Sequence, residues 1–147
     1  MRHAEYASPS FPEDAFSGTA AYYAKYRVPY PTKLFDDLLL RAGIKGDGKL
    51  LDLACGPGRV TIPLAPSFHR VLAIDLEREM IEEGQRAAEE RGVANIDWTV
   101  GRAEDLKVES ESIQLITIGE AFHRLDQKVI TERACQWLSP GSCLITM

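Results

Sequence analysis

Two aspartates and a pair of glycines set the chemistry open to this chain. Asp52, Gly56 and Gly58 stand in the run Leu50-Leu51-Asp52-Leu53-Ala54-Cys55-Gly56-Pro57-Gly58-Arg59-Val60-Thr61. Glycines there remove side chains where the backbone must turn tightly and let a ligand approach. Asp52 interrupts an apolar run, and an acid in that setting is costly without a partner. Asp75 closes the next apolar run. It lies about 20 residues past the glycines, the distance at which a Rossmann-type unit presents a carboxylate to ribose hydroxyls.

The glycine order is G-x-G-x-x-T, so the third glycine of a dinucleotide fingerprint is missing. Pyrophosphate at a helix N-terminus also disfavours an acid such as Asp52, two residues before Ala54. A carboxylate beside the turn suits a ligand with a cationic group. An NAD-dependent oxidoreductase is therefore only the third reading.

The elements that must position these residues alternate strand and helix. The first strand is Lys49 to Ala54, nearly all apolar, as expected when both faces are covered. A short helix from about Arg59 to Leu64 follows, limited by Pro63 and Pro66. The second strand is Arg70 to Ile74. From Glu77 to Arg91 the chain reads as an amphipathic helix with Met80, Ile81, Gly84, Ala87 and Ala88 on one face, and Gly92 ends it. Strands follow at about Ile96–Val100 and Ser112–Ile118. A helix then runs from Asp126 or Gln127 to Leu138, with Ser139-Pro140-Gly141 as a turn and Ser142–Met147 as strand five. Upstream, Thr19 to Arg27 reads as a helix on which Tyr22 and Tyr26 share a face. Val28-Pro29-Tyr30-Pro31 ends it, and Pro31 opens a further helix as its first residue. This alternation predicts an α/β fold, a doubly wound parallel sheet with helices on both faces.

The length, 147 residues, suits one domain with one core. Residues 1–18 are expected to be a loosely ordered tail and 19–147 the domain. The net charge is −5 with no basic block, which argues against nucleic acid as a partner. Cys55, Cys135 and Cys143 have no paired spacing, so neither a disulfide framework nor a metal site is indicated. With no span-length apolar run and no signal-like h-region, a cytoplasmic protein without membrane association is the expectation.

D-L-A-C-G-P-G-R followed by A-I-D-L resembles the class I S-adenosylmethionine-dependent methyltransferases of small molecules, the type 11-like kind. The resemblance covers about Thr19 to Met147 and implies strand order 3-2-1-4-5. It implies S-adenosyl-L-methionine as cofactor and S-adenosyl-L-homocysteine as product. Asp52 would take the methionine ammonium, directly or through water. The backbone at Ala54, Gly56 and Gly58 would approach the ligand, and Asp75, with Leu76 next in the chain, would serve the ribose. Gly101-Arg102-Ala103-Glu104-Asp105-Leu106 resembles the family's adenine segment, which makes Ala103, Glu104 and Asp105 candidates there. Gly119 opens the loop after strand four. In it, A-F-H-R-L-D resembles A-F-H-W-F-D of one subgroup, with Arg124 replacing the Trp. That places His123 near methyl transfer as the only candidate base. Y-x-x-x-Y-R-x-x-Y-P resembles a lid segment, by which Tyr22, Tyr26 and Arg27 would close on the methionine end. The alternative is that the tyrosines are helix packing.

The expected function is methyl transfer to a small-molecule acceptor. The rival is a cofactor-binding fragment or pseudo-enzyme, because relatives continue into an antiparallel hairpin that this sequence lacks. On that reading strand five would be an exposed edge through which two copies pair.

Overall fold

The computed structural model describes residues 18–147; of the expected tail, 1–18, residues 1–17 lie outside them. The elements in chain order are α1 (Ala20–Tyr26), α2 (Thr32–Arg41), β1 (Lys49–Leu53), α3 (Thr61–Leu64), β2 (Arg70–Asp75), α4 (Arg78–Glu90), β3 (Ile96–Val100), β4 (Ile113–Ile118), α5 (Gln127–Trp137) and β5 (Leu138–Thr146). Single turns of 3-10 helix occupy Ala65–Ser67, Ala103–Asp105 and Phe122–Arg124. The five strands form one parallel sheet in the order β3-β2-β1-β4-β5, as expected. The order reverses between β1 and β4, and open sheets of this kind bind ligands outside the carboxyl ends of the strands at such a switch point.

The period of two along β1 divides its residues between two cores. Leu51 and Leu53 join Ile74, Ile116, Ile118 and the α5 residues Ile130, Ala134 and Trp137 on one face. Leu50 joins Val71, Leu115, Phe35 and Leu38 of α2, Leu64 and Phe68 on the other. Ala73, Ile81 of α4 and Cys55 extend that second face. Helices therefore cover the sheet on both sides, which is why β1 and β4 read as continuous apolar runs.

Several boundaries differ from the sequence reading. Pro31 is the N-cap of α2, with φ −60° and ψ 137°, and the helix begins at Thr32. Pro63 fits inside α3 because that helix has only one turn, and Pro66 sits in a separate 3-10 turn. The Ser139-Pro140-Gly141 turn is absorbed as an irregularity in β5. Ile113 pairs with Leu138, but Leu115 pairs with Cys143, so the residues between bulge outward. The N-cap of α5 is Asp126, whose carboxylate accepts from the Val129 N–H at 3.1 Å.

No helix among the described residues is long and apolar enough to cross a membrane.

Candidate functional site

A cavity of about 190 Å³ opens at the carboxyl ends of β1, β2 and β4. Its floor is the turn after β1, where Ala54 and Gly56 both have positive φ, 53° and 54°. At Gly56 an added Cβ would meet nothing within 4 Å, so the backbone there is open to a ligand. Gly58 differs. It does not line the cavity; an added Cβ at its φ of 81° would lie 2.8 Å from the Trp98 ring and 3.0 Å from Ile62. Gly84 of α4 meets the same ring, at 2.7 Å. Trp98 of β3 is thus wedged between the turn and α4, and both glycines exist to admit it. Gly58 thus lets the turn pack against Trp98 and Ile62, and it is not among the residues lining the cavity.

This division predicts opposite phenotypes. Gly58→Ala should lower stability by about 1–3 kcal/mol, from backbone strain plus overpacking, read by urea denaturation. Gly56→Ala carries only the strain and should instead weaken ligand binding. The reverse pattern would refute the division.

Asp75 ends β2 at the cavity wall. Its carboxylate accepts from the Gly56 N–H at 2.7 Å and from the Glu77 N–H at 2.9 Å. It therefore ties strand end, turn and helix start together. A carboxylate has about four acceptor sites, so both oxygens keep capacity for hydroxyl donors in the cavity. Burial pushes its pKa up, and the two N–H donors and the nearby Arg124 charge partly offset this.

The other candidates divide by place. Leu76, Ala103, Glu104 and Gly119 line the cavity with Asp75, Ala54 and Gly56. Glu104 is committed on one side, its Oε1 accepting from the Asp126 N–H at 3.0 Å. Asp105 points away, 78% exposed at its side chain and outside the cavity lining. His123 is exposed and does not line the cavity, whereas its neighbour Arg124 does. In a 3-10 turn successive side chains diverge by about a third of a revolution, so only one of the two can face inward. Tyr22 and Tyr26 stack on each other with centroids 4.5 Å apart, yet are 69% and 60% exposed and lie outside the cavity lining. Arg27 reaches the site indirectly, in an ion pair with Glu120.

Asp52 does not line this cavity but a smaller cleft that adjoins it. It is 1% exposed and lies between β4 and the start of α3. Its carboxylate accepts from the Thr61 hydroxyl at 2.5 Å and the Thr117 hydroxyl at 2.9 Å. Thr117 is its register partner on β4. Burial pushes the Asp52 pKa up to about 6 against the pull of these two hydrogen bonds. The costly acid has its partners inside the fold. Cys55 beside it is also buried, and burial with the two neighbouring aspartates pushes its thiol well up, so it packs as a neutral side chain.

Sequence reasoning missed Arg59, Glu120 and Tyr30. Glu120 has φ 51° and lines the cavity. Arg59 lies 3.7 Å from the Glu120 carboxylate and its guanidinium stands 5.1 Å from the centre of the Tyr30 ring. Only the position of Arg59 just after the glycines could have drawn attention to it.

The family model described as methyltransferase domain matches residues 50–141. Among curated proteins, the chain is 27% identical over 124 residues to the uncharacterized methyltransferase YcgJ of Bacillus subtilis (strain 168), covering 83% of this chain and 49% of that protein. It is 37% identical over 65 residues to the tRNA (uracil-5-)-methyltransferase homolog A of Mus musculus, covering 44% of this chain and 11% of that one. Among solved structures, an S-adenosylmethionine-dependent methyltransferase from Clostridium acetobutylicum ATCC 824 superposes with a TM-score of 0.70 at 23% identity, over 89% of this chain and 56% of that chain. The chain spans about half the length, or less, of the curated relatives it matches.

Proposed function

Because this chain belongs to the methyltransferase domain family, of the class I S-adenosylmethionine-dependent type, we propose that it binds S-adenosylmethionine in the cavity and passes its methyl group to a small-molecule acceptor. The observation that carries this reading is Asp75, clamped on the bare backbone of Gly56 with acceptor capacity left toward the cavity.

The residues present fit the cofactor's nucleoside half. Asp75 would accept from the ribose hydroxyls, as charge-assisted hydrogen bonds. Leu76, exposed and apolar, with Met80 and Ala103 would flank a flat aromatic base. The second Glu104 oxygen, 4.0 Å from Arg102 Nε, would accept from an exocyclic amine. When bound, the sulfonium supplies an electrophilic methyl group, so the protein needs little covalent chemistry. Its part is to hold an acceptor atom in line with that group, and positioning of this kind supplies a large share of a rate. No base from the chain is needed for an acceptor that arrives ionised, which agrees with His123 standing outside the cavity. The net charge of −5 supports a small acceptor over a polyanionic one.

Calorimetry tests the reading. S-adenosylhomocysteine should bind, and NADH should not compete with it. Tighter binding of NADH would overturn the assignment in favour of an oxidoreductase.

A further inference from the structure

The two edges of the sheet are unlike. At one, β3 carries Asp97, paired with Arg70 of β2, and a charge on an edge strand discourages strand addition. At the other, β5 pairs with β4 alone, and no strand lies beyond it among the described residues. Pro140 and the irregular register with β4 break the first half of β5. The second half, Cys143 to Thr146, runs in regular register against Leu115 to Ile118. No residue of β5 is charged. Just past it, Met147 spends both backbone groups on the β4 side: its N–H donates to the Ile118 carbonyl at 3.0 Å, and its carbonyl accepts from the Glu120 N–H at 2.7 Å. Along a strand in a sheet, residues alternate between bonding to one neighbour and to the other. Cys143 and Ile145 therefore bond toward β4, whereas Ser142, Leu144 and Thr146 turn N–H and C=O to the open side. The side chains there are only half-buried, Leu144 on the α5 face of the sheet and Cys143 and Ile145 on the α2 face.

We propose that the Ser142–Thr146 edge pairs antiparallel with the same segment of a second copy, about a two-fold axis at Leu144, and joins the two sheets into one. The segment is its own complement, as a two-fold interface requires. Leu144 meets the partner's Leu144 as a hydrogen-bonded pair, and Ser142 meets the partner's Thr146, so the outward N–H and C=O groups are used at every second residue. Cys143 stands opposite the partner's Ile145 on the other face. Every opposed pair is neutral, so no like charges meet across the axis. Half-exposed aliphatic surface leaves water on both faces of the sheet, which favours the pairing. The paired segment is short, so the interface is small and the association weak and concentration-dependent. β5 contributes no residue to the cavity lining, so the inference does not rest on the cofactor reading.

Sedimentation velocity over a concentration series on the full chain reads the association, and the three free cysteines read its place. Cys55 is buried, Cys135 is exposed on α5, and Cys143 lies in the proposed seam. As protein concentration rises, labelling of Cys143 by a thiol reagent should slow in step with the loss of monomer, while Cys135 keeps its rate. Two double variants test the register. Ser142→Lys with Thr146→Lys sets like charges opposite each other at both outer pairs; Ser142→Lys with Thr146→Glu sets opposite charges there. The Lys/Lys dimer should dissociate at a concentration roughly tenfold or more above that of the Lys/Glu dimer. Should either variant fail to fold, Cys143 protection in the unaltered chain decides alone. A chain that stays monomeric up to its solubility limit overturns the inference. So does an association in which Cys143 labels at an unchanged rate, or in which the two folded variants dissociate alike; the edge then belongs to a different segment or a different protein.

Discussion

Asp75→Ala is expected to weaken S-adenosylhomocysteine binding by about 1.5–3 kcal/mol, roughly ten- to a hundredfold. Two losses contribute. The ribose hydroxyls lose a charged acceptor, and the Gly56 and Glu77 N–H groups lose the carboxylate that fixes the turn at the cavity floor. Asp75→Asn separates them. It keeps one carbonyl acceptor, so it can hold one N–H group while serving the ribose poorly. Binding should fall for both variants, and stability should fall more for the alanine. Calorimetry alongside urea denaturation reads both. Unchanged affinity in a folded Asp75→Ala variant would remove Asp75 from the site.

The second large effect concerns Asp52 and pH. Its pKa is about 6 in the folded chain against the ordinary 3.8, because burial disfavours the charged form. Below pH 3.8 the carboxyl is neutral in both states, and its buried contribution is fully present. As pH rises from 3.8 to about 6, the unfolded chain ionises first, and that stability is lost. The loss is about 3 kcal/mol at about 1.4 kcal/mol per pH unit, complete above pH 6. Asp52→Asn is nearly isosteric and cannot ionise. Its amide can accept from one threonine hydroxyl and donate to the other, so the trio with Thr61 and Thr117 survives. Relative to the unaltered chain, Asp52→Asn should therefore gain about 2.5 kcal/mol between pH 4 and pH 7.5. Urea denaturation across that range measures the difference; parallel stability curves for the two proteins would show that Asp52 carries no such burden. Asp52→Ala, by contrast, orphans both hydroxyls and leaves a void, and should destabilise at every pH.

Much of the fold was legible from the sequence because local signals agreed with one another. The apolar runs of β1 and β4 required cover on both faces. Gly43 and Gly92, both with positive φ just past helix ends, stop α2 and α4 as their type suggests. The site was less legible, for one shared cause. The sequence marks a residue as chemically able without telling which way its side chain leaves the backbone. His123 and Arg124 are neighbours, yet one faces out and the other lines the cavity. Gly56 and Gly58 share a motif but answer to different neighbours, one to open space and one to Trp98. Asp52 was legible as an acid in need of partners, but Thr61 and Thr117, 9 and 65 residues away, were not legible as those partners. Only tertiary structure brings them together.

The wedging of one ring between turn and helix also gives the chain an optical property. Of its two tryptophans, Trp137 is buried on the α5 face. Trp98 touches the glycine turn on the opposite face. A ligand seated on Gly56 would bear on the turn that Trp98 touches, while Trp137 shares its core cluster with Ala54, Ala103 and Ala121 of the cavity lining. The two emitters thus form a built-in pair that views the site from opposite faces of the sheet, Trp98 from the glycine turn and Trp137 from the core beneath the cavity.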